Sequence, residues 1–291
     1  MSRVAYVNGR YLSHADAMVH VEDRGYQFAD GVYEVIFVTN GRLVDELPHL
    51  ERLERSLGEL RMEMPMSTDP MRRVMREVLR RNRLRDGLLY IQVTRGVAPR
   101  DHRFPAAAKP ALVMTARRPR PQSPKLTERG VDVITLPDIR WARCDIKSVS
   151  LLPNVLGRQQ AAEAGAYEAW QVGRDGLVTE GTASNAWIVT DDGRLITPDA
   201  TAAILNGITR RAILRLADEE GLKLEERRFS VEEAHAAREA FLTSTSSFVV
   251  PVTRIDGRPV ADGRPGVVTR WLREAYDTYM RGSANGGPAS K

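Results

Sequence analysis

The sequence of 291 residues predicts a mixed α/β (α+β) protein built from two domains. Turn tripeptides of the form Asn/Asp-Gly-Arg recur beside β-prone residues in both halves of the chain, and such tripeptides join antiparallel strands. Helical periodicity fills the stretches between them, without the regular strand–helix alternation of a parallel sheet. A proline-rich, basic stretch without apolar periodicity separates two segments of comparable size.

The individual elements follow from local patterns. The strand turns fall at 8–10, 40–42, 192–194 and 256–258. We expect Asp69 to cap the second helix with Pro70 at its first position, and Ser230 with Glu233 to form a capping box. Apolar periodicity predicts six helices, at 47–62, 69–82, 153–165, 206–221, 230–237 and 267–280.

The domain boundary is placed in the proline-rich stretch ARRPRPQSPKL, which begins at Ala116 and ends at Leu126. Because this stretch has no apolar face to bury, we expect it to connect two separately packed units. The predicted division is an N-terminal domain, a linker, a C-terminal domain and a disordered tail, at 1–117, 118–126, 127–281 and 282–291 respectively.

Composition excludes several classes of protein. The net charge of +5 comes from basic residues dispersed beside acidic ones, so we expect no nucleic-acid-binding face. No apolar run approaches a membrane span, and the start lacks the features of a signal peptide. The single cysteine, Cys144, excludes a disulfide framework and a cysteine-built metal site, which favours a reducing, cytoplasmic location.

Common catalytic motifs are missing from the sequence. It contains no P-loop, no Gly-x-Ser-x-Gly elbow and no His-Glu-x-x-His, and its five histidines show no metal-ligand spacing. We therefore expect neither a metal centre nor hydrolase chemistry of the serine or zinc type.

Lysine is unusually scarce, since only five of the 43 basic residues are lysines. A lysine that attacks a carbonyl must be partly desolvated so that its amine is neutral. Four of the five lie in a turn, in the linker, in a charged run or at the terminus, whereas Lys147 is flanked by apolar and small residues in DIRWARCDIKSVSLL. The alternative for a single lysine is a side chain that extends to solvent from a sheet edge.

Six segments carry a resemblance to a known family. They are EDRGYQFADGVYEVI, LLYIQVTRGVAPRDHRFP, DIRWARCDIKSVSLLPNVLGRQQAAEAGAYEAW, VTEGTASNAWIV, LNGITRRAIL and FLTSTSSFVVPVTRIDG. In this order and spacing the chain resembles the fold-type IV pyridoxal-phosphate enzymes over nearly its whole length, and among them the D-amino-acid aminotransferases. The resemblance implies a smaller N-terminal α/β domain and a larger C-terminal pseudo-barrel domain that binds the cofactor.

The resemblance also implies roles for cofactor-binding residues. Lys147 corresponds to the lysine that is bound to the cofactor aldehyde and that moves the substrate proton. Glu180 corresponds to the carboxylate that pairs with the pyridine nitrogen, and its alternative is an ordinary strand-end acid. The phosphate-binding positions are Arg52, Ile208, Thr209, Ser244 and Thr245, and for Arg52 a surface pair with a helix glutamate competes.

Substrate recognition is assigned by the same resemblance to Tyr33, Arg100 and His102, the family's trap for the substrate α-carboxylate. Tyr33 shares a face of an extended segment with Val35 and Phe37, as a residue of a pocket wall would, and core packing is its alternative. In the family the loop with Arg100 and His102 reaches the neighbouring subunit's active site, which implies a homodimer. The partners expected are therefore small amino and 2-oxo acids and a second copy of the chain.

Two positions depart from the family pattern. Phe248 stands near a position where typical D-amino-acid members carry an acidic residue, and Ala183 stands where a hydroxyl residue is common. We expect Cys144 to be packed rather than reactive, and Arg140 and Arg143 to pair with Asp138 or Asp145. The sequence predicts D-amino-acid transamination with a 2-oxo acid acceptor. The alternatives left open are transamination of (R)-amines or branched-chain L-amino acids, and a lyase like aminodeoxychorismate lyase. A third alternative is a basic nucleic-acid-binding protein, which would need a clustered positive face and no bound chromophore.

Overall fold

The computed structural model describes residues 3–118 and 123–284. They form two compact units. Of the described residues, the first unit comprises 3–118, Ile146–Ser150 and 282–284, and the second comprises 123–145 and Leu151–Arg281. No helix within the described ranges combines the length and the apolar character that crossing a bilayer requires.

The first unit is built on a six-stranded sheet. Its strands are β1 Val4–Val7, β2 Arg10–Ser13, β3 Gly31–Thr39, β4 Arg42–Leu43, β5 Gly87–Thr94 and β6 Ala111–Arg117. Their order is β2-β1-β6-β5-β3-β4, and every neighbouring pair is antiparallel. The sheet confirms the antiparallel pairing that the turn tripeptides predict for the N-terminal half.

Three helices belong to this unit: α1 Arg24–Phe28, α2 Glu46–Glu59 and α3 Thr68–Arg81. The two longer helices place apolar residues three and four positions apart, so that one face of each is buried against the sheet. The resulting core contains Leu53, Leu57, Met71, Met75, Val78, Val32, Ile36, Leu89 and Ile91.

The second unit contains a nine-stranded sheet. Its strands are β7 Val131–Pro137, β8 Glu168–Val172, β9 Val178–Gly181, β10 Asn185–Val189, β11 Leu195–Thr197, β12 Leu224–Glu226, β13 Glu239–Ser244, β14 Phe248–Ile255 and β15 Arg258–Pro259. Their order is β12-β11-β10-β13-β14-β7-β8-β9, with β15 beside β14. Parallel and antiparallel pairs are mixed, because β7 lies parallel to both β14 and β8.

The two ends of this sheet meet. The backbone N–H of Val178 in β9 donates to the carbonyl of Phe229 at 2.8 Å, and Leu177 forms a bridge with Ser230. Phe229 and Ser230 lie a few residues after β12, the strand at the opposite end of the sheet. The sheet therefore closes partly on itself, which confirms the expected pseudo-barrel and the mixed α/β fold class.

Five helices belong to the C-terminal half of the chain: α4 Lys125–Glu128, α5 Leu152–Glu163, α6 Ile208–Glu219, α7 Val231–Ala236 and α8 Val267–Ala284. Aromatic pairs fill the core of the second unit. Trp187 stacks on Phe241 with ring centroids 5.3 Å apart, and Trp170 meets Phe229 edge-on at 5.8 Å.

The turn predictions are confirmed. At three of the four sites a left-handed Asn or Asp precedes a left-handed glycine, at Asn8, Asn40 and Asp256, and Gly193 has a positive φ at the fourth. Two successive left-handed residues give the turn whose twist matches that of antiparallel strands. The capping box is also confirmed, since Ser230 accepts from the Glu233 amide while the Glu233 side chain accepts from the Ser230 amide.

The predicted start of α3 is wrong by two residues. Ser67 is the N-cap, and Asp69 and Pro70 lie inside the first turn. Proline is tolerated anywhere in a first turn because the amides there have no intrahelical acceptor, so it does not mark position one uniquely.

The expected linear division also differs from the two units. Ile146–Ser150, which includes Lys147, packs with the first unit, although it follows the predicted linker in the chain. Within the predicted linker, 119–122 lie outside the described residues, and α4 already begins at Lys125. Of the predicted tail, 282–284 are helical and 285–291 lie outside the described residues.

Candidate active site

Lys147 is fixed by the backbone of β3. The Tyr33 amide donates to the Lys147 carbonyl at 3.0 Å, the Val149 amide donates to the Gly31 carbonyl, and Ser148 forms a bridge with Val32. The Lys147 Nζ atom lies 4.3 Å from the centroid of the Tyr33 ring. The half-buried amine therefore faces an aromatic ring, in contrast to a lysine that extends freely into solvent.

Tyr33 lies on the face of β3 that the alternation predicts. Tyr33, Val35 and Phe37 are half-buried, whereas the opposite face of the strand is fully buried in the core. The Tyr33 ring stacks on Tyr90, with centroids 5.7 Å apart. Core packing does not account for Tyr33, because the core lies on the other face.

Arg52 is held by an acid of β3. Glu34, which is fully buried, accepts from Arg52 Nε and Nη2, each at 2.8 Å, and contacts His49 Nδ1 at 2.7 Å. Burial raises the pKa of Glu34, but Arg52 outweighs it and the pKa falls to about 2. The guanidinium is thus fixed by a strand residue, whereas the surface pair considered from sequence involved a helix glutamate.

In the second unit, Glu180 in β9 is a buried carboxylate with three donors. One oxygen accepts from Arg140, and the other accepts from the Asn185 side chain at 3.2 Å and from the Leu205 amide at 3.1 Å. Its side chain is 8% exposed. A buried carboxylate with three donors differs from an exposed acid at a strand end, the alternative considered from sequence.

The expected pairs of the two nearby arginines are confirmed. Arg140 binds Asp138, with Nη2 at 2.6 Å from Oδ2, and Arg143 binds Asp145 at 2.9 Å. The additional bond from Arg140 to Glu180 is not apparent from sequence, because 40 positions separate the two residues. Cys144 is buried, and burial raises the pKa of its thiol to about 11, so the expectation of an unreactive thiol agrees with its surroundings.

The N-terminus of α6 has the form of an anion site. Its N-cap is Gly207, which provides no side-chain acceptor for the first amides of the helix. Ile208 and Thr209 occupy the first turn and are buried. Amides in a first turn lack intrahelical acceptors and carry the positive end of the helix dipole, so they attract a phosphate.

Ser244 and Thr245 lie where β13 turns into β14. The Ser244 hydroxyl contacts the Ser247 hydroxyl at 2.6 Å and accepts from the Ser247 amide at 3.2 Å. Phe248 follows with φ at +63°, a left-handed conformation that is uncommon for a bulky residue. The departure at Phe248 is therefore also a point of backbone strain, beside a pair of hydroxyls.

Arg100 and His102 are exposed on a loop, as predicted. Both contact Phe28 of α1: the Arg100 guanidinium lies 4.6 Å from the ring centroid, and the His102 ring lies at 5.3 Å. Within the described part of the chain, neither residue makes a hydrogen bond or a ring contact with Tyr33. In the described residues Arg100 and His102 are therefore joined to Phe28, and not to Tyr33, by such contacts.

Several polar residues of these groups are missed by sequence reasoning. Glu34 could have been found from sequence, because it alternates with Val32 and Ile36 on one face of β3. An acid on a buried face requires a buried partner. Glu168 is a buried acid that accepts from the Ala183 amide at 2.7 Å and from Ser184 at 3.0 Å, and burial raises its pKa. The hydrogen bond that the Ala183 amide donates to Glu168 does not require the hydroxyl side chain that is common at this position in the family.

The donor set fits pyridoxal phosphate. Residues 3–118 and 123–284 contain no group of three or more His, Cys, Asp or Glu able to hold a metal. They do contain a half-buried lysine, a buried carboxylate that accepts from an arginine, and a helix start without a side-chain cap. These are the groups that an aldehyde, a pyridinium and a phosphate require.

This fold and these groups are those expected of a pyridoxal-phosphate enzyme. Residues 31–255 match the family model described as amino-transferase class IV. The chain belongs to the class IV aminotransferase family. The match confirms the predicted enzyme class and, with it, the pyridoxal-phosphate cofactor of that class.

Individual relatives agree with this assignment. The chain is 44% identical over 273 residues to a D-alanine aminotransferase of Bacillus licheniformis, a match that covers 94% of the chain and 95% of the relative. It is 40% identical over 276 residues to a D-alanine aminotransferase of Staphylococcus epidermidis, covering 95% and 97%. A solved branched-chain amino acid aminotransferase of Escherichia coli superposes with a TM-score of 0.90 at 26% identity, covering 97% and 96%.

Proposed function

We propose that the chain transfers an amino group reversibly between a D-amino acid, such as D-alanine, and a 2-oxo acid, such as 2-oxoglutarate. The observation that carries the proposal is the 44% identity to a D-alanine aminotransferase over nearly the full length of both chains. When bound, pyridoxal phosphate supplies an electron-withdrawing ring that stabilises negative charge at the substrate α-carbon.

Lys147 is the proposed catalytic residue. Its Nζ would bind the cofactor aldehyde, and its free amine would move a proton between the substrate α-carbon and a carbon of the cofactor. The Tyr33 ring, 4.3 Å from Nζ, supports this role because it restricts the direction in which the amine can point.

Two further sets of residues hold the cofactor in the proposal. Glu180 pairs with the pyridine nitrogen and keeps it protonated, since a buried carboxylate stabilises a neighbouring cation. The phosphate is bound by Arg52, by the first-turn amides of Ile208 and Thr209, and by the hydroxyls of Ser244 and Thr245. The glycine N-cap of α6 and the fixed guanidinium of Arg52 support these roles.

The substrate carboxylate is bound by Tyr33 and by Arg100 and His102 of a second copy of the chain. We propose a homodimer, because Arg100 and His102 lie on an exposed loop, where a second copy of the chain could contact them. Exposed apolar side chains support an interface, since contact with a second copy would remove them from water. They include Met18, Val19, Val21, Tyr26 and Phe104 in the first unit and Ile139, Trp141, Leu152, Val155 and Leu156 in the second.

We also propose that the enzyme works in the cytoplasm. Its single cysteine and its small-molecule chemistry are typical of that compartment. Localisation of a tagged chain in its native host would test this, and secretion of the protein would contradict it.

The attachment of the cofactor is tested by colour. Purified protein should be yellow from cofactor joined to Lys147, and Lys147→Ala should lose the visible band and the activity. The matched control is Lys223→Ala, which changes a lysine of a charged run and should leave both unchanged. Retention of the lysine-bound band in Lys147→Ala would refute the assignment.

The substrate is tested by mixing the yellow enzyme separately with D-alanine, L-leucine and (R)-phenylethylamine. Loss of the visible band should be fastest with D-alanine. Transamination of branched-chain L-amino acids is the second candidate, favoured by the TM-score of 0.90 to the Escherichia coli enzyme. A faster reaction with L-leucine or the amine would replace the D-amino-acid assignment, and release of pyruvate from aminodeoxychorismate without an acceptor would indicate a lyase.

A further inference from the structure

A second carboxylate is linked to Glu180 through one guanidinium. Asp138 accepts from Arg140 Nε at 2.9 Å and from Arg140 Nη2 at 2.6 Å, and it also accepts from the Thr179 hydroxyl at 2.8 Å. Arg140 Nη1 donates to Glu180. Asp138, Arg140 and Glu180 thus form a continuous chain of charge-assisted hydrogen bonds, which we call the Asp138 relay.

The relay is nearly closed to solvent. The exposed fractions of its side chains are 13% for Asp138, 5% for Arg140 and 8% for Glu180. Burial raises the pKa of Asp138, but the bonds from Arg140 and Thr179 outweigh it, so the carboxyl stays ionised. Because charges interact more strongly at buried sites than in water, the charge of each member affects the others.

The relay has one more negative than positive charge. Asp138 and Glu180 are carboxylates, and Arg140 is the guanidinium between them. The neighbouring Cys144 thiol adds no charge near neutral pH, because burial raises its pKa to about 11. The surplus negative charge favours one additional cation beside Glu180.

The fixed position of Arg140 depends on Asp138. Three of its hydrogen bonds go to Asp138 and Thr179, and a further one goes to the carbonyl of Ala203 at 3.1 Å. Without the Asp138 charge, Glu180 would be the one carboxylate of the relay left to neutralise Arg140. The remaining pair would have no surplus charge, and a cation at Glu180 would be bound less strongly.

We propose that Asp138 is a positioning residue that, through Arg140, keeps Glu180 available to the protonated ring nitrogen of the cofactor. This inference rests on the proposed pairing of Glu180 with that nitrogen. Asp138 itself contacts Arg140 and Thr179, and it acts on the cofactor by electrostatics alone. Charge at position 138, more than side-chain volume, should therefore determine how tightly the ring nitrogen is bound.

The test compares two cofactors in equilibrium binding to the apoenzyme: pyridoxal phosphate, and its 1-deaza analogue, in which a C–H group replaces the ring nitrogen. Asp138→Asn should weaken pyridoxal phosphate about tenfold, the equivalent of one pKa unit. The dissociation constant of the analogue should be nearly unchanged, because the analogue has no ring nitrogen to protonate. Asp138→Glu, which keeps the charge, should restore most of the preference for pyridoxal phosphate.

Asp192→Asn is the matched control. Asp192 likewise binds an arginine two residues later, Arg194, and accepts from a threonine hydroxyl, Thr190, but it lies in an exposed hairpin. Both dissociation constants should stay at the wild-type value in this variant. If Asp138→Asn does not fold, Thr179→Val, which removes one donor to Asp138, must weaken pyridoxal phosphate selectively.

The outcomes separate the inference from the proposed function. Equal weakening of both cofactors by Asp138→Asn, or no weakening of either, would overturn the role of Asp138. The pairing of Glu180 itself is tested by Glu180→Gln, which should reduce the preference for pyridoxal phosphate over the analogue. If Glu180→Gln leaves that preference intact, the pairing of Glu180 fails, and the inference about Asp138 fails with it.

Discussion

Glu34 lies on the core face of β3, between Val32 and Ile36, which are both fully buried. An ionised carboxylate in such a position is tolerated only when it is paired and fully hydrogen-bonded. Arg52 and His49, both on α2, supply the partners. The same contacts fix the side chain of Arg52. The buried Glu34 therefore connects the packing of the first unit to a residue that is predicted to bind the phosphate.

We expect Glu34→Gln to lower the free energy of unfolding by about 3–5 kcal/mol, because Arg52 would lose the buried charge that it is paired with. Urea denaturation followed by circular dichroism measures the change. Glu77→Gln is the control, since Glu77 binds Arg80 and Arg81 on the exposed surface of α3 and should matter little. Equal losses in the two variants would contradict the argument.

His49 makes stability depend on pH. Burial lowers the pKa of His49 below its ordinary value of 6.5, although Glu34 opposes this shift. As the pH falls below 6.5, the unfolded chain takes up a proton that the folded chain does not, so stability falls with acidification. The free energy of unfolding should therefore decrease from pH 7 to pH 5, and it should decrease less steeply in His49→Gln. His14→Gln, which changes an exposed histidine, should keep the wild-type slope.

The surroundings of a residue could be predicted from sequence where chemistry restricts the choice. Lys147 stood out because four other lysines had unsuitable surroundings, and its amine does face the Tyr33 ring. The bond between Arg140 and Glu180 was not predictable, because residues 40 positions apart meet only after the strands have paired.

At the scale of the element, α7 shows how completely local sequence can determine a helix start. Ser230 and Glu233 exchange side-chain to backbone hydrogen bonds, at 3.1 Å and 3.0 Å. Both partners lie within one turn, so the capping box forms without any help from distant residues. Local sequence does not determine the start of α3 in the same way, because Ser67, Asp69 and Pro70 are all favourable near a helix start.

Ser230→Ala should lower the free energy of unfolding by about 1 kcal/mol, since one first-turn amide would lose its acceptor. Ser67→Ala is a matched control, because Ser67 is the N-cap of α3 but makes no side-chain capping bond. Its effect on the urea midpoint should be clearly smaller. A loss from Ser67→Ala as large as that from Ser230→Ala would show that the capping bonds do not determine the difference.

At the scale of the whole molecule, the proposed dimer makes a prediction about mixed subunits. One variant, Lys147→Ala, keeps the loop, and the other, Arg100→Ala with His102→Ala, keeps the lysine. Each homodimer should be nearly inactive. If the loop acts on the neighbouring subunit, unfolding and refolding the two together should restore about a quarter of the wild-type activity, because half of the dimers would contain one intact site.

The controls for this experiment are each variant refolded alone and sedimentation of the mixture to verify dimers. If the loop served its own subunit, every site in the mixture would lack either Lys147 or the loop. Activity would then stay at the level of the separate variants, which would refute the proposed contribution of the loop across the dimer.

Short-range chemistry explains what the sequence by itself determined. Features that depend on neighbours within a few positions are governed by backbone conformation and periodicity. They include the hairpin turns, the capping box, the helical faces and the apolar and small residues that flank Lys147. The order and spacing of the motifs carried the resemblance to the family. The match over 31–255 confirmed that the chain is a class IV aminotransferase.

Tertiary structure alone decided which distant groups pack together and form ion pairs. The packing of Ile146–Ser150 with the first unit, the Glu34–Arg52 pair and the Asp138 relay join residues that strand pairing and helix packing bring together. The physical reason is desolvation: a buried charge must find a partner, but sequence does not reveal which residues become buried side by side.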